Sequence, residues 1–142
     1  MLFPATVLIV ENHPAILDIL VRSVQQVRPS ARILTAHDGE DALRKAQVDQ
    51  PDLMIIELAI PKKDGYEVVK SLRHQDNGGR ISIIGISSHY FLDNVTLAFR
   101  NLCDAFLIKP FYPTELMTKV TKLAQAQDSA VATEFADYVA LC

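Results

Sequence analysis

The sequence contains no tryptophan and only two cysteines, Cys103 and Cys142, which lie far apart in the chain. Two distant thiols favour free cysteines in a reducing compartment over a disulfide-stabilised secreted domain. No apolar run approaches the roughly 20 residues that a membrane-spanning helix needs. Residues 1–10 also lack the basic start and the small-residue cleavage site of a signal peptide. We therefore expect a soluble, cytoplasmic protein with no membrane contact.

The sequence also lacks a strong charge of either sign, since its formal net charge is -3 and its 14 basic residues are scattered. This distribution gives no basic surface for nucleic acid, so we expect no nucleic-acid partner. There is no glycine-rich phosphate loop, no CxxC pair and no histidine spacing typical of a metal site. The chain of 142 residues is 49% apolar, which suits one domain with a substantial core.

Strand-like apolar runs alternate with helical patterns along the chain. The runs cover residues 6–10, 32–35, 53–57, 81–86 and 105–108. Helix starts are indicated by Pro14 and Pro113 at first-turn positions and by Asp38 and Asp64 as caps. A fourth helix is marked by apolar residues at helical spacing, beginning near Leu92. Five strand–helix units joined by short loops predict an α/β fold with a parallel sheet covered on both faces.

Polar side chains stand where otherwise apolar strands end. The first strand is followed by Glu11 and Asn12, the third ends at Glu57, and the fourth and fifth lead to Ser87 and Lys109. The carboxyl ends of parallel strands meet at one edge, close to the point where the chain order reverses. We therefore expect these side chains to line one polar pocket.

Four motifs in order resemble the receiver domain of two-component response regulators, over nearly all of residues 5–125. They read VLIVENHP at 7–14, PDLMIIE at 51–57 followed by Pro61 and Asp64-Gly65, SS at 87–88, and AFLIKPF at 105–111. The resemblance implies a flavodoxin-like, doubly wound sheet of five strands in the order 2-1-3-4-5. Five helices would complete a three-layer α/β/α domain, with a cis bond before Pro110.

The resemblance also implies a role for each pocket residue. Glu57 occupies the position of the phosphoacceptor aspartate. A residual Mg²⁺ site would use Glu11, Asn12 and Glu57 with the loop carbonyl of Ala59. Ser87 and Phe106 match the switch positions that couple the pocket to the surface, and Lys109 matches the lysine that meets the phosphoryl group.

Two departures from the family pattern favour a degenerate receiver, or pseudo-receiver. Asn12 replaces the second acid of the pair and removes a full charge, although Mg²⁺ favours carboxylates. Glu57 is one methylene longer than aspartate, and in-line phosphoryl transfer depends mainly on positioning. We therefore expect no cofactor, no metal unless the pocket retains weak Mg²⁺ binding, and a direct Glu57–Lys109 ion pair.

The favoured function is a non-enzymatic signalling module of two-component or phosphorelay type that acts by protein–protein contact. A histidine kinase or a downstream effector is the expected class of partner. A homodimer through the face of the fourth helix, fifth strand and fifth helix is a further expectation. The alternatives are an Mg²⁺-dependent phosphoacceptor with slow self-dephosphorylation, and a small α/β enzyme that uses Glu57 and Lys109.

Residues 1–126 form the predicted domain, and residues 127–142 form a helical carboxyl-terminal extension. Val131, Phe135, Tyr138 and Cys142 fall near helical spacing in this extension. Two interpretations stay open from the sequence. The extension could continue the fifth helix and pack on its own domain, or its apolar stripe could meet a partner or a second copy of the chain.

Overall fold

The computed structural model describes residues 6–75, 81–88 and 93–141, and for residues 128–141 it describes the helical backbone alone. The elements within these ranges are β1 (Thr6–Val10), α1 (Pro14–Val27), β2 (Arg32–Ala36), α2 (Gly39–Asp49), β3 (Leu53–Glu57), α3 (Gly65–His74), β4 (Ser82–Ser87), α4 (Asn94–Leu102), β5 (Ala105–Ile108) and α5 (Pro113–Leu141). The strands pair in parallel in the order β2-β1-β3-β4-β5. The predicted flavodoxin-like, three-layer fold is confirmed.

Three helices start at an aspartate whose side chain accepts a hydrogen bond from the backbone N–H three residues later. The caps are Asp38 of α2, Asp64 of α3 and Asp93 of α4, with bonds of 2.8, 2.9 and 2.7 Å. Each cap satisfies an N–H that has no partner inside the helix. The first two match the prediction. The third cap, Asp93, precedes the predicted fourth helix, which begins at Asn94.

Two strands end later than their sequence patterns indicated. β2 continues to Ala36, and β4 runs one residue later at both ends, so that Ser87 is its last residue. The neighbouring strand explains the shift of β4, because the N–H of Lys109 donates to the carbonyl of Ser87 at 2.8 Å. Three features of the sequence lie outside the described residues, namely a loop predicted by composition at 77–79, Leu92 and Cys142.

The sheet separates two apolar clusters, one under α2, α3 and α4 and the other under α1 and α5. Every residue of β3 is buried. Its side chains alternate, with Met54 and Ile56 in the first cluster and Leu53 and Ile55 in the second. This double burial explains why the strand reads as a continuous apolar run that ends in Glu57.

A charged clamp holds α3 and α4 at the amino end of the sheet. The Arg73 guanidinium donates to the carbonyls of Leu102 and Ile81 at 3.0 and 2.8 Å, and to Asp104 Oδ2 at 3.0 Å. The same Asp104 oxygen accepts from the N–H of Ile83 at 2.7 Å. One arginine therefore joins the last turn of α4 to the start of β4.

Helix α5 continues without interruption for 29 residues, from Pro113 to Leu141. At about 1.5 Å per residue it is roughly 43 Å long. Leu116, Val120 and Ala124 in its first half are fully buried. The backbone of the predicted extension is thus a continuation of α5. Among the described residues, no helix combines the length and apolar character needed to cross a membrane.

The glycine at position 85 of β4 lets α4 approach the sheet closely. A Cβ atom built there would lie 2.7 Å from the sulfur of Cys103 and 2.8 Å from the ring of Phe99. The Cys103 thiol meets the Phe99 carbonyl at 3.2 Å. Burial raises the pKa of this thiol to about 12.

The side chain of Thr96 is fully buried, and its hydroxyl oxygen has no hydrogen-bond partner among the residues that the structure describes. We expect Thr96→Val to raise the free energy of unfolding by about 1–2 kcal/mol, because it replaces an unpaired polar atom by a methyl group of similar shape. Urea denaturation measures the change. Thr118→Val is the control, since its exposed hydroxyl already bonds the Thr114 carbonyl. A destabilised Thr96→Val would contradict the prediction.

The pKa of Cys103 generates a second prediction. Its folded value of about 12 exceeds the ordinary 9.0, so the folded state keeps a proton that the unfolded state loses. The resulting stabilisation is complete below pH 9 and falls as the pH rises toward 12, by up to about 1.4 kcal/mol per pH unit. Urea midpoints should show the advantage of wild type over Cys103→Ala shrinking above pH 9. Cys142→Ala is the control variant, and a pH-independent difference for Cys103→Ala would refute the shift.

Candidate functional site

Three charged side chains meet at the carboxyl end of the sheet. Glu11 directly follows β1, where its N–H donates to the carbonyl of Ala36 at 3.1 Å. Glu57 is the last residue of β3, and Lys109 directly follows β5. Because the strands are parallel, their carboxyl ends lie at the same edge, and the side chains converge there.

The Lys109 ammonium lies between the two carboxylates. Its Nζ is 2.6 Å from Glu11 Oε1 and 2.8 Å from Glu57 Oε1. Glu11 and Glu57 are 2% and 4% exposed, so both acids are removed from water. The predicted Glu57–Lys109 ion pair is present, and Glu11 supplies a second and shorter contact to the same ammonium. The three groups together carry one net negative charge.

The pKa of Lys109 is raised above its ordinary value of 10.5. Burial opposes the charged ammonium, but hydrogen bonds and charge attraction from Glu11 and Glu57 outweigh that opposition. The ammonium therefore stays protonated throughout the neutral range.

The second oxygen of Glu57 is engaged by its own loop. Glu57 Oε2 accepts a hydrogen bond of 3.0 Å from the N–H of Ala59. The family resemblance implies a metal-ligand role for the Ala59 carbonyl, whereas the Ala59 N–H is the group that contacts Glu57. Each oxygen of the Glu57 carboxylate thus has a donor. The Lys109–Pro110 bond is cis, as predicted.

Close backbone packing positions this loop. A Cβ at Gly65 would lie 2.7 Å from the Glu57 carbonyl, and one at Gly39 would meet the Lys63 carbonyl. The N–H of Gly65 donates to the Leu58 carbonyl at 2.8 Å. In the loop between Leu58 and Gly65, Lys62 adopts a left-handed φ of 69°. Lysine does not favour this conformation, so no sequence pattern predicts it at position 62.

The remaining predicted site residues differ in how far their side chains are buried. Asn12 is exposed at the rim. Ser87 is 1% exposed at the end of β4. Phe106 is half-buried and packs its ring against Phe99, with centroids 5.9 Å apart. The Arg100 guanidinium lies over the Phe106 ring, with its Cζ 5.6 Å from the ring centroid. No sequence pattern predicts this contact.

The donor set of this pocket does not fit a divalent cation in the arrangement seen. Three of the four carboxylate oxygens of Glu11 and Glu57 already face N–H donors. Mg²⁺ requires near-octahedral oxygen ligands, and Asn12 contributes no charge. Across the described ranges, no group of three or more histidine, cysteine, aspartate or glutamate side chains could hold a metal ion.

Comparisons with known proteins identify the family and the fold. Residues 7–121 match the family model for the response regulator receiver domain. The alkaline phosphatase synthesis transcriptional regulatory protein PhoP of Bacillus subtilis is 32% identical over 124 residues, which are 87% of this chain and 50% of PhoP. The chain thus spans about half the length of this curated relative.

Solved structures show the same fold. The chemotaxis response regulator CheY4 of Vibrio cholerae is 26% identical with a TM-score of 0.73, covering 84% of this chain and 98% of CheY4. The receiver domain of sensor histidine kinase PA1611 from Pseudomonas aeruginosa PAO1 is 24% identical with a TM-score of 0.73, covering 84% of this chain and 96% of that one. That structure has a magnesium ion coordinated in its active site cleft.

The family match covers most of the chain. The strand order and the cis bond before Pro110 agree with what the resemblance implied. Glu11, Glu57 and Lys109 converge at the carboxyl end of the sheet. The chain therefore belongs to the response regulator receiver domain family, the signalling module of two-component systems.

Proposed function

We propose that this receiver domain works without phosphorylation, as a non-enzymatic module that signals through protein–protein contact. The observation that supports the proposal is the position of the Lys109 ammonium, 2.6 and 2.8 Å from the two buried carboxylates. The pocket has its own cation, supplied by the chain.

The state of Glu57 argues against its acting as a phosphoacceptor. A nucleophile needs an oxygen that is free to approach phosphorus in line with the leaving group. One Glu57 oxygen is paired with Lys109 and the other with the N–H of Ala59. Attack would require one of these contacts to break in a buried site, where an unpaired charge is costly.

The charge balance of the pocket also disfavours binding of Mg²⁺. Two buried carboxylates without a cation would attract Mg²⁺, but here one ammonium already offsets half of their charge. A divalent ion would have to displace Lys109 and take ligands from a pocket that has asparagine at position 12. We therefore propose that Mg²⁺ binds this pocket weakly or not at all.

The permanent carboxylate of Glu57 accounts for a fixed signalling state. It occupies the reactive position with one negative charge, whereas a phosphoryl group carries nearly two. Ser87, the switch position at the end of β4, would then be held in one arrangement. In this proposal the domain presents a constant surface to a histidine kinase or a downstream effector.

Two surfaces suit a protein partner. The first is the face of α4, β5 and α5, where the exposed fractions of Val95, Leu97 and Tyr112 are 47%, 38% and 76%. The second is the carboxyl-terminal segment 128–141, which continues α5 as a helix. A helical segment of about 14 residues is marginal in water when it has no packing partner, so we propose that this segment packs on another surface, with a second copy of the chain as one candidate.

The alternative function is an Mg²⁺-dependent phosphoacceptor with slow self-dephosphorylation. It is favoured by family membership and by the magnesium ion in the cleft of the PA1611 receiver domain. That function would require Glu57 to leave Lys109 and to act through a longer side chain.

The two functions differ in their response to a phosphodonor. After incubation with acetyl phosphate and Mg²⁺, we expect the intact mass of the wild-type chain to be unchanged, because Lys109 and Ala59 occupy both oxygens of Glu57. The double variant Asn12→Asp/Glu57→Asp restores the family's acids and should gain the mass of one phosphoryl group. A stoichiometric adduct on the wild-type protein would exclude the proposed function and establish the alternative.

The ion-pair network generates a stability prediction. Lys109→Met leaves two buried carboxylates without a cation and should lower the free energy of unfolding by about 3–5 kcal/mol. Adding Glu57→Gln should recover part of the loss, since only one buried charge then remains. Lys122→Met on the exposed surface of α5 is the matched control, with an expected change within about 0.5 kcal/mol. Equal effects of the two lysine variants in urea denaturation would contradict the proposed network.

A further inference from the structure

Phe106 of β5 is held by two consecutive residues of α4. The ring of Phe99 meets it at a centroid distance of 5.9 Å and an interplanar angle of 73°, which is an edge-to-face contact. The Arg100 guanidinium lies over the Phe106 ring, 5.6 Å from its centroid. Both geometries match the favourable arrangements of aromatic and cation–π pairs.

The sheet is shaped to allow this arrangement. Gly85 of β4 is the in-register neighbour of Phe106. A Cβ at Gly85 would lie 2.8 Å from the ring of Phe99, so the glycine makes room for that ring beside Phe106. Phe99 is fully buried and Arg100 is exposed. Phe106 is therefore contacted by a ring on its core side and by a guanidinium on its solvent side.

We propose that Phe99 and Arg100 form a latch that holds Phe106 in one rotamer and thereby fixes how α4 sits against β5. Phe106 has no hydroxyl, so no side-chain hydrogen bond of its own can select a rotamer. The selection comes from the ring contact and the cation, and both originate from α4. Arg100 is then the positioning residue of this surface.

Arg100 is available for this role. Among the residues that the structure describes, its guanidinium makes no ion pair. It lies in the last turn of α4, where the helix dipole favours a cation. The edge-to-face and cation–π contacts together should favour the packed rotamer by about tenfold over one that has lost both.

The latch does not depend on whether Glu57 accepts a phosphoryl group. The contacts that define it lie between α4 and β5 and include none of the three charged groups of the pocket. A wild-type chain that gained a phosphoryl group would overturn the proposed function and leave the latch intact. Its test therefore uses neither a phosphodonor nor Mg²⁺.

The test measures the χ1 rotamer of Phe106 by NMR. The protein carries ¹³C- and ¹⁵N-labelled phenylalanine, and comparison with Phe106→Leu assigns the signal among the six phenylalanines of the sequence. Three-bond couplings give the rotamer populations, and ring-to-ring NOEs report the contact with Phe99. In the wild type we expect one dominant rotamer and a strong Phe99–Phe106 NOE.

Removal of the cation should release the ring. We expect Arg100→Gln to raise the population of the minor rotamers by roughly two- to fivefold, and Arg100→Lys to keep most of the wild-type preference. Lys70→Gln is the matched control, since Lys70 lies 5.6 Å from the centroid of a different ring, Tyr66. Because Arg100 and Lys70 are both exposed, these variants should stay folded.

The buried side of the latch is tested by Phe99→Leu, which should also raise the minor rotamers of Phe106 and weaken the packing of α4. Unchanged couplings in Arg100→Gln would overturn the assignment of Arg100. Rotamer averaging already present in the wild type would overturn the latch as a whole.

Discussion

Two buried carboxylates that share one ammonium are the constraint on which this pocket depends. Glu11 follows β1 and Glu57 ends the adjacent strand β3, so the sheet brings their charges together at one edge. Both are almost fully removed from water, and buried charges of like sign require a compensating cation. In the PA1611 receiver domain the cleft holds a magnesium ion. In this chain Lys109 supplies the positive charge.

The reach of the side chains makes that substitution physically reasonable. Lys109 follows β5 and Glu57 ends β3, with β4 between them. Strands lie about 4.8 Å apart, so the backbones of these two residues are separated by roughly 10 Å. Lysine has a long side chain, and the extra methylene of Glu57 relative to aspartate extends the carboxylate toward it. In the proposed function, the added methylene that misplaces Glu57 as a nucleophile therefore favours the ion pair with Lys109.

Local patterns in the sequence predicted most of the fold, because strand runs, aspartate caps and the prolines at first-turn positions act over a few residues. The strand order came from the resemblance of four motifs to a family and not from periodicity. The Glu57–Lys109 ion pair was predicted, but the contact of Lys109 with Glu11 and the position of Arg100 over Phe106 could not be, since each depends on side-chain directions across different elements. The late end of β4 at Ser87 has the same cause, because pairing with β5 extends the strand.

The pocket and the α4–β5 surface are held by different kinds of interaction. Charge pairing fixes Glu57, whereas ring packing and a cation fix Phe106, and the Arg73 clamp ties the last turn of α4 to the start of β4. In the proposed function, no signal alters the pocket or the α4–β5 surface, since the carboxylate of Glu57 is always present. A domain of this kind presents one surface at all times. Under the proposed function, variants that weaken the latch should change the affinity of this domain for its protein partner, while the charge network of the pocket stays intact.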